Sequence, residues 1–201
     1  METNYQIRKD RPSDINQHME TLKNYAKQCE SVLELGVRGV VSSWAFAYGL
    51  TLNGSQNKFL FCNDLVPCDL GFLKSECNLN KVDLQFEWCS DLQLEMPENS
   101  FDLVFIDTFH VYGQLKRELH KFSKVARKYI IMHDTTVDAK HGEALRLGLN
   151  VRQLSKDTGL PENEINHGLA SAVDEFLKDH KWRIREVFTN NNGLTILERN
   201  H

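Results

Sequence analysis

A chain of 201 residues is long enough to enclose one full core and too short for two large domains, so one site should carry most of the function. With 41% hydrophobic and 26% charged residues it is not a disordered chain. Its net charge of −4 supplies no basic field for nucleic acid, so Lys116, Arg117, Lys121, Lys124, Arg127 and Lys128 read as the solvated positive face of one helix.

The amino-terminal stretch METNYQIRKDRPSDINQH is polar, with no apolar h-region. Helical periodicity begins in 13-SDINQHMETLKNYAKQC-29, where Ile15, Met19, Leu22 and Ala26 share a face and Ser13 can cap the start, so residues 1–30 form an N-terminal helical segment. A buried strand, 31-SVLELG-36, leads into a helix over about 41–52. The strand 58-KFLFCND-64, a helix around 69–78 and the alternating, edge-like strand 82-VDLQFEW-88 follow. Next come 102-DLVFID-107, a helix near 112–127 and 129-YIIMHD-134. Residues 135–163 are weakly periodic and polar, and read as a lid-like insertion. A helix at about 165–180 then precedes 182-WRIREVF-188 and 194-LTILER-199, two strands joined by an Asn-Gly turn.

Strand and helix in alternation predict an α/β fold: a Rossmann-like, seven-stranded, mostly parallel sheet with helices on both faces and a C-terminal antiparallel hairpin. No apolar segment is long enough to span a bilayer. The five cysteines, odd in number and without CxxC spacing, indicate neither a disulfide framework nor a thiolate zinc site. Both observations suit a cytoplasmic protein. Trp44, Trp88 and Trp182 read as core, and His120, His141, His167 and His180 as surface or helix residues.

Ligands of such sheets bind beyond the carboxyl ends of the strands. At the first exit, 32-VLELGVRGVVSSW-44, Gly36 and Gly39 allow a tight turn and close approach of a ligand to the backbone. A dinucleotide loop would carry more glycine where Arg38 and Val40 stand, which weighs against NAD. Glu34 suits a ligand with a positive group, such as the amino acid part of S-adenosylmethionine. Asp64 can accept ribose hydroxyls or cap a helix, and Asp91, after Ser90, can reach an adenine amino group.

The fourth and fifth exits are the most informative. Their strands are expected to be neighbours about 4.8 Å apart, so Asp107 and Asp134 can converge on one ion. Hard oxygen donors suit Mg²⁺, whereas an imidazole from His133 or His110 shifts the preference toward Mn²⁺ or another transition ion. The expected metal set is Asp107, His133 and Asp134; the expected catalytic set is Asp107, His110 and His133, with an imidazole as ligand or general base. His133 and Asp134 are consecutive, so both face the site only if the strand has ended there.

With these residues placed, the chain resembles class I S-adenosylmethionine-dependent methyltransferases, in the branch related to cephalosporin hydroxylase-like and rhamnosyl O-methyltransferase proteins. The resemblance is carried by 13-SDINQHMETL-22, 33-LELGVRG-39, 105-FIDTFHVYGQLKREL-119, 130-IIMHDTT-136, 168-GLASAVDEFL-177 and 189-TNNNGLTILER-199. It implies a donor site in which Glu34, Gly36 and Gly39 line the methionine side, Asp64 the ribose and Asp91 the adenine end; Arg38, Ser42 and Ser90 complete the expected donor-binding set. It also implies a divalent metal at Asp107 and Asp134, with His133 where metal-dependent relatives have an acid, and a carbohydrate acceptor. His18 would either close over the donor or pack. The resemblance is compatible with a homodimer or with a place in a longer glycosyltransferase-linked polypeptide. The readings kept beside it are an NAD-dependent sugar oxidoreductase or epimerase, and a non-catalytic Rossmann-like module.

Overall fold

The computed structural model describes residues 1–179 and 181–200, without the side chain of residue 179; His180 lies outside the described residues. Helix α1 (Glu2–Asp10) comes first, followed by a 3₁₀ turn over Asn16–His18 and α2 (Met19–Ala26). The parallel units are β1 (Ser31–Leu35), α3 (Val41–Thr51), β2 (Phe59–Asp64), α4 (Gly71–Leu79), β3 (Asp83–Trp88), β4 (Phe101–Ile106), α5 (Tyr112–Phe122) and β5 (Ala126–His133). The insertion holds three short helices, α6 (Glu143–Arg146), α7 (Val151–Thr158) and α8 (Glu162–Asn166). Helix α9 (Leu169–Asp179) then leads into β6 (Trp182–Phe188) and β7 (Leu194–Arg199).

The seven strands form one sheet in the order β3-β2-β1-β4-β5-β7-β6. The pairs among β1 to β5 are parallel, and β7 runs antiparallel to both β5 and β6. The chain moves outward from β1 to β3 and then returns to β4, so the direction of winding reverses between β1 and β4. A crevice at the carboxyl ends of those strands is where such a sheet takes a ligand.

Period-two alternation divides the central strands between two cores. Leu103 and Phe105 of β4 join Val32, Leu60 and Ile131 against α2 and α3, where Phe46 and Phe105 meet at 5.1 Å between ring centroids. Val104 and Ile106 join Leu33, Leu35, Ile130 and Met132 against α5 and α9. All six residues of β4 are buried, as a strand covered by helices on both faces requires. Burying one such aliphatic side chain is worth about 1.5–3 kcal/mol, so the position of β4 and the geometry of its exit are firmly set.

Several local expectations are corrected. The polar N-terminus forms α1, anchored by buried Tyr5, whose hydroxyl donates to Glu20 at 3.0 Å. The helix expected from residue 13 begins at Met19; Ser13 Oγ instead accepts from the Asn16 amide at 3.0 Å and starts the 3₁₀ turn. Helix α5 ends at Phe122, so Lys124, Arg127 and Lys128 do not belong to it. The supposed positive face is largely paired: Lys116 with Glu175, Arg117 with Glu164, and Arg127 with Asp102. Trp44 and Trp182 are buried, but Trp88 is 63% exposed because it ends the edge strand β3. His120, His141 and His167 are exposed. All five cysteines are free, and among the described residues no helix is long and apolar enough to cross a membrane.

Candidate active site at the carboxyl ends of β1, β4 and β5

The loop after β1 is built on left-handed backbone. Gly36 has φ 87°, Arg38 41° and Val40 58°. Glycine is indispensable at the first of these, because a Cβ there would lie 1.9 Å from the carbonyl oxygen of Asp107. The amide of Asp107 donates to Leu35 O at 2.8 Å, so the loop after β1 and the exit of β4 are in direct contact.

Asp64, at the end of β2, secures this loop. Its Oδ2 accepts from the amides of Val37 and Arg38, each at 2.8 Å, and Oδ1 accepts from Val66 at 3.1 Å. Burial alone would raise the Asp64 carboxyl, but these backbone donors outweigh it and hold it below its usual range. Arg38 reaches outward to pair with Asp14. Glu34 is fully buried beneath the loop, where it accepts from Ser42 Oγ and from Cys62 Sγ. Burial pushes its carboxyl up to about 7 against the opposing pull of those donors. Glu34 and Ser42 are thus brought together, but as a linked pair under the loop. Gly39 is open, its nearest neighbour to an added Cβ being Val41 at 3.9 Å.

At the adenine end, Ser90 starts a short 3₁₀ turn without a side-chain cap bond. Asp91 is buried and accepts from Gln114 Nε2 at 3.1 Å. Gln114 also donates to Glu118, at 2.9 Å, and Thr108 Oγ1 donates to the same carboxylate. Burial and the nearby Asp91 charge push the Glu118 carboxyl well up, and burial pushes that of Asp91 up as well.

Beyond β4 and β5 the side chains converge. The pairing Ile106↔Met132 places Asp107 beside His133, and β5 ends at His133. Asp134 then adopts a left-handed backbone with φ 56°, which breaks the alternation and lets both His133 and Asp134 face the site. His110 Nε2 lies 3.0 Å from Asp107 Oδ1 and 3.1 Å from Asp134 Oδ2. His133 Nδ1 lies 3.3 and 3.4 Å from the same two oxygens. Donor atoms of Asp107, His110 and Asp134 all fall within 4.8 Å of one another, a spacing that can hold a metal ion.

Each imidazole is held from behind. His133 Nε2 is 3.1 Å from the carbonyl oxygen of Asn191, an acceptor only, so Nε2 carries hydrogen and Nδ1 faces the carboxylates. His110 Nδ1 is 3.1 Å from Glu143 Oε2 and 3.6 Å from Asp138 Oδ2. Burial alone would lower both rings, but the surrounding carboxylates prevail: His133 is pushed up to about 10 and His110 well above its usual value. Asp107 experiences the converse, its burial outweighed by hydrogen bonds from His110 and His133 that hold it well below the carboxylate range. Each carboxylate thus favours the charged form of the ring it faces, and each ring favours the charged form of the carboxylates. One buried atom of this cluster has no partner: Asp134 Oδ1.

The sequence reading located Asp107, His110, His133 and Asp134 but missed three groups. Glu143 and Asp138 come from the insertion; an acid in the first turn of a short helix reads as a dipole partner, and nothing in its spacing marks it. Asn191 stood in a tract read only as a turn. That tract forms a hub, because Asn190 and Asn191 carbonyls also meet His18 Nε2 at 3.0 and 3.2 Å, and Asn192 O accepts from Thr136 and Val137. His18 is buried with its ring 5.7 Å from that of His133, so it packs behind the site. Two clefts lie elsewhere, one at the opposite end of the sheet near Lys58, Lys81 and Arg127 and one between α5 and α9.

The strand order and the reversed final strand are those of the class I methyltransferase fold, and this chain has that fold. Solved structures agree over nearly its whole length. A Corynebacterium glutamicum protein matches with a TM-score of 0.59 and 14% identity, covering 94% of this chain and 83% of that one. The methyltransferase PaMTH1 of Podospora anserina, bound to S-adenosylhomocysteine, gives 0.55 and 14%, over 98% and 86% of the two chains. The O-methyltransferase TomG of Streptomyces achromogenes, involved in tomaymycin synthesis and solved with S-adenosylmethionine, gives 0.53 and 15%, over 92% and 81%. No family model and no curated protein matches the sequence.

Proposed function

We propose that this protein transfers a methyl group from S-adenosylmethionine to a hydroxyl of a carbohydrate, with a divalent ion at Asp107, His133 and Asp134 and with His110 as general base. The observation that carries this reading is the meeting of Asp107, Asp134, His110 and His133 directly beside the Gly36 loop. The donor reading is supported by solved neighbours of the same fold that hold S-adenosylmethionine or S-adenosylhomocysteine. The preference for a sugar rests on the resemblance of FIDTFHVYGQLKREL and IIMHDTT to rhamnosyl O-methyltransferase-like sequences.

The donor set fits an ion: the Asp107 and Asp134 oxygens that with His110 are spaced to hold one also lie 3.3 and 3.4 Å from His133 Nδ1. Asp134 Oδ1 is buried without a partner, and two protonated rings occupy positions from which a cation would displace protons. When bound, the ion would lower the cost of removing the proton from an acceptor hydroxyl, whose pKa otherwise lies near that of water. Exposure separates the two rings. The His133 side chain is 1% exposed and tethered through Nε2, which suits a ligand; that of His110 is 15% exposed and suits proton exchange with an acceptor.

In this reading His110 Nε2 first gives up its proton as a cation binds at Asp107 and Asp134; the acceptor oxygen then attacks the methyl carbon as the carbon–sulfur bond breaks, S-adenosylhomocysteine leaves, and the hydroxyl proton passes to the freed Nε2. Asp64 and Gly36 hold the donor loop at its distance from Asp107, so the protein contributes mainly proximity and electrostatics. The test is release of S-adenosylhomocysteine during a screen of nucleotide sugars and short glycans. Asp107→Ala should abolish transfer while calorimetry still detects S-adenosylmethionine binding. Full transfer by that variant, or calorimetric binding of NAD in place of S-adenosylmethionine, would overturn the assignment.

A further inference from the structure

We propose that Glu143 is the positioning residue of His110: by accepting the Nδ1 hydrogen it fixes the ring so that Nε2 faces Asp107 and Asp134. The inference rests on the reading of His110 as the general base. An imidazole can serve in that role only if its other nitrogen keeps the hydrogen and the ring is held in one orientation. Glu143 Oε2, 3.1 Å from Nδ1, meets the first requirement.

Backbone contacts meet the second. The Glu143 amide donates to His110 O at 3.0 Å, so the two residues are tied through main chain as well as side chain. Helix α6 follows Gly142, where a Cβ would lie 2.6 Å from Ile165 O and 2.7 Å from Val111 Cγ1, so the start of the helix packs directly against both. The neighbouring acid is otherwise engaged. Asp138 is fully buried and receives two hydrogen bonds from Arg146, at 2.6 and 2.8 Å, while its Oδ2 stands 3.6 Å from Nδ1. Arg146 thus reserves Asp138 for itself and leaves Glu143 as the acceptor. Glu143 does not touch the atoms at Asp107 and Asp134, and acts through the ring.

The insertion therefore places one carboxylate behind one imidazole and holds it there. Losing the carboxylate behind a metal-ligating histidine typically costs about 10–100-fold in activity or affinity, and a loss of that order is expected behind a histidine base. A loop that merely covered the site would show no such dependence on a single side chain.

The experiment uses the full chain labelled with ¹⁵N-histidine, with His110→Gln to assign the ring. In the wild type the His110 Nδ1 proton should appear downfield and exchange slowly; Glu143→Ala should lose it, and Glu143→Gln, which keeps an acceptor oxygen, should retain it. The same variants are assayed for methyl transfer with p-nitrophenyl α-rhamnoside as the probe acceptor. Glu143→Ala should lower kcat about 10–100-fold with KM for S-adenosylmethionine unchanged, and Glu143→Gln should fall between it and the wild type. A slowly exchanging ring proton that persists in Glu143→Ala overturns the proposal, as does a kcat within twofold of wild type. If the wild type itself transfers no methyl group, the acceptor reading is at fault, and the ring-proton comparison still decides the placement.

Discussion

The Cβ that Gly36 lacks would stand 1.9 Å from the carbonyl oxygen of Asp107. The first glycine of the loop after β1 is therefore a spacer against the exit of β4, as well as a residue that tolerates φ 87°. Gly36→Ala forces either the loop or the Asp107 backbone to move, adding left-handed strain of about 1–2 kcal/mol to an overpacking cost of about 1–3 kcal/mol. The loss should appear in thermal unfolding, and calorimetry should find S-adenosylmethionine binding abolished. Gly39→Ala is the control, because the nearest atom to its added Cβ is 3.9 Å away and no positive φ is required. Equal effects at the two glycines would show that the contact with Asp107 is unimportant.

Glu34 gives a pH dependence with a sign opposite to that of most carboxylates. Burial raises its folded pKa to about 7 from an ordinary value of 4.5. The folded state thus holds a proton that the unfolded chain releases, and stability falls as pH rises from about 4.5 to about 7, then levels off. Glu34→Gln imitates the protonated form. It should be stabilising by on the order of 3 kcal/mol at pH 8 and nearly neutral at pH 4, read from denaturant midpoints at the two pH values. A difference independent of pH would mean that Glu34 is ionised without penalty in the folded protein.

Both residues stand where the sequence was legible. Hydrophobic runs located every parallel strand to within a few residues, because β1, β2 and β4 are buried enough to leave little but apolar side chains. The strand-exit rule then singled out Asp107 and Asp134, since position along a parallel sheet determines where a side chain emerges. What escaped was set by contacts between segments far apart in the chain. Glu143 reaches His110 across 33 residues, and the Asn191 carbonyl reaches His133 across 58. A backbone carbonyl leaves no signature in residue type, and three short helices in the insertion carry too few turns for periodicity to register. Trp88 misled because an aromatic on an edge strand looks in sequence like one in the core.

Val40 carries a β-branched side chain at φ 58°, a conformation that glycine adopts freely. Residue type and backbone disagree here, and the left-handed placement costs about 1–2 kcal/mol. At this N-cap position both the left-handed backbone and the ordinary cap ranking favour glycine over alanine. Val40→Gly should be more stable than Val40→Ala by about 1 kcal/mol, because alanine loses the packing and retains the strain. Thermal melts of the two variants decide it; alanine equal to or above glycine would show that the loop has relaxed out of the left-handed region.

The proton held by His133 provides a direct test for the ion. Its Nδ1 faces Asp107 and Asp134, whose charges overcome burial and push the ring up to about 10, so the ring holds its proton near neutral pH. A cation at the same two oxygens competes with that proton, and metal binding should expel it. Titration of Mn²⁺ by calorimetry in two buffers of different ionisation enthalpy should reveal release of about one to two protons per ion at pH 7, the first from His133 and the second from His110. Asp134→Asn keeps a residue suited to φ 56° while removing the charge, so the fold should survive. Its Mn²⁺ affinity should drop by at least about tenfold. Binding enthalpies that do not depend on the buffer, or affinity unchanged in Asp134→Asn, would place the ion elsewhere and leave the two rings as structural counter-charges to the carboxylates.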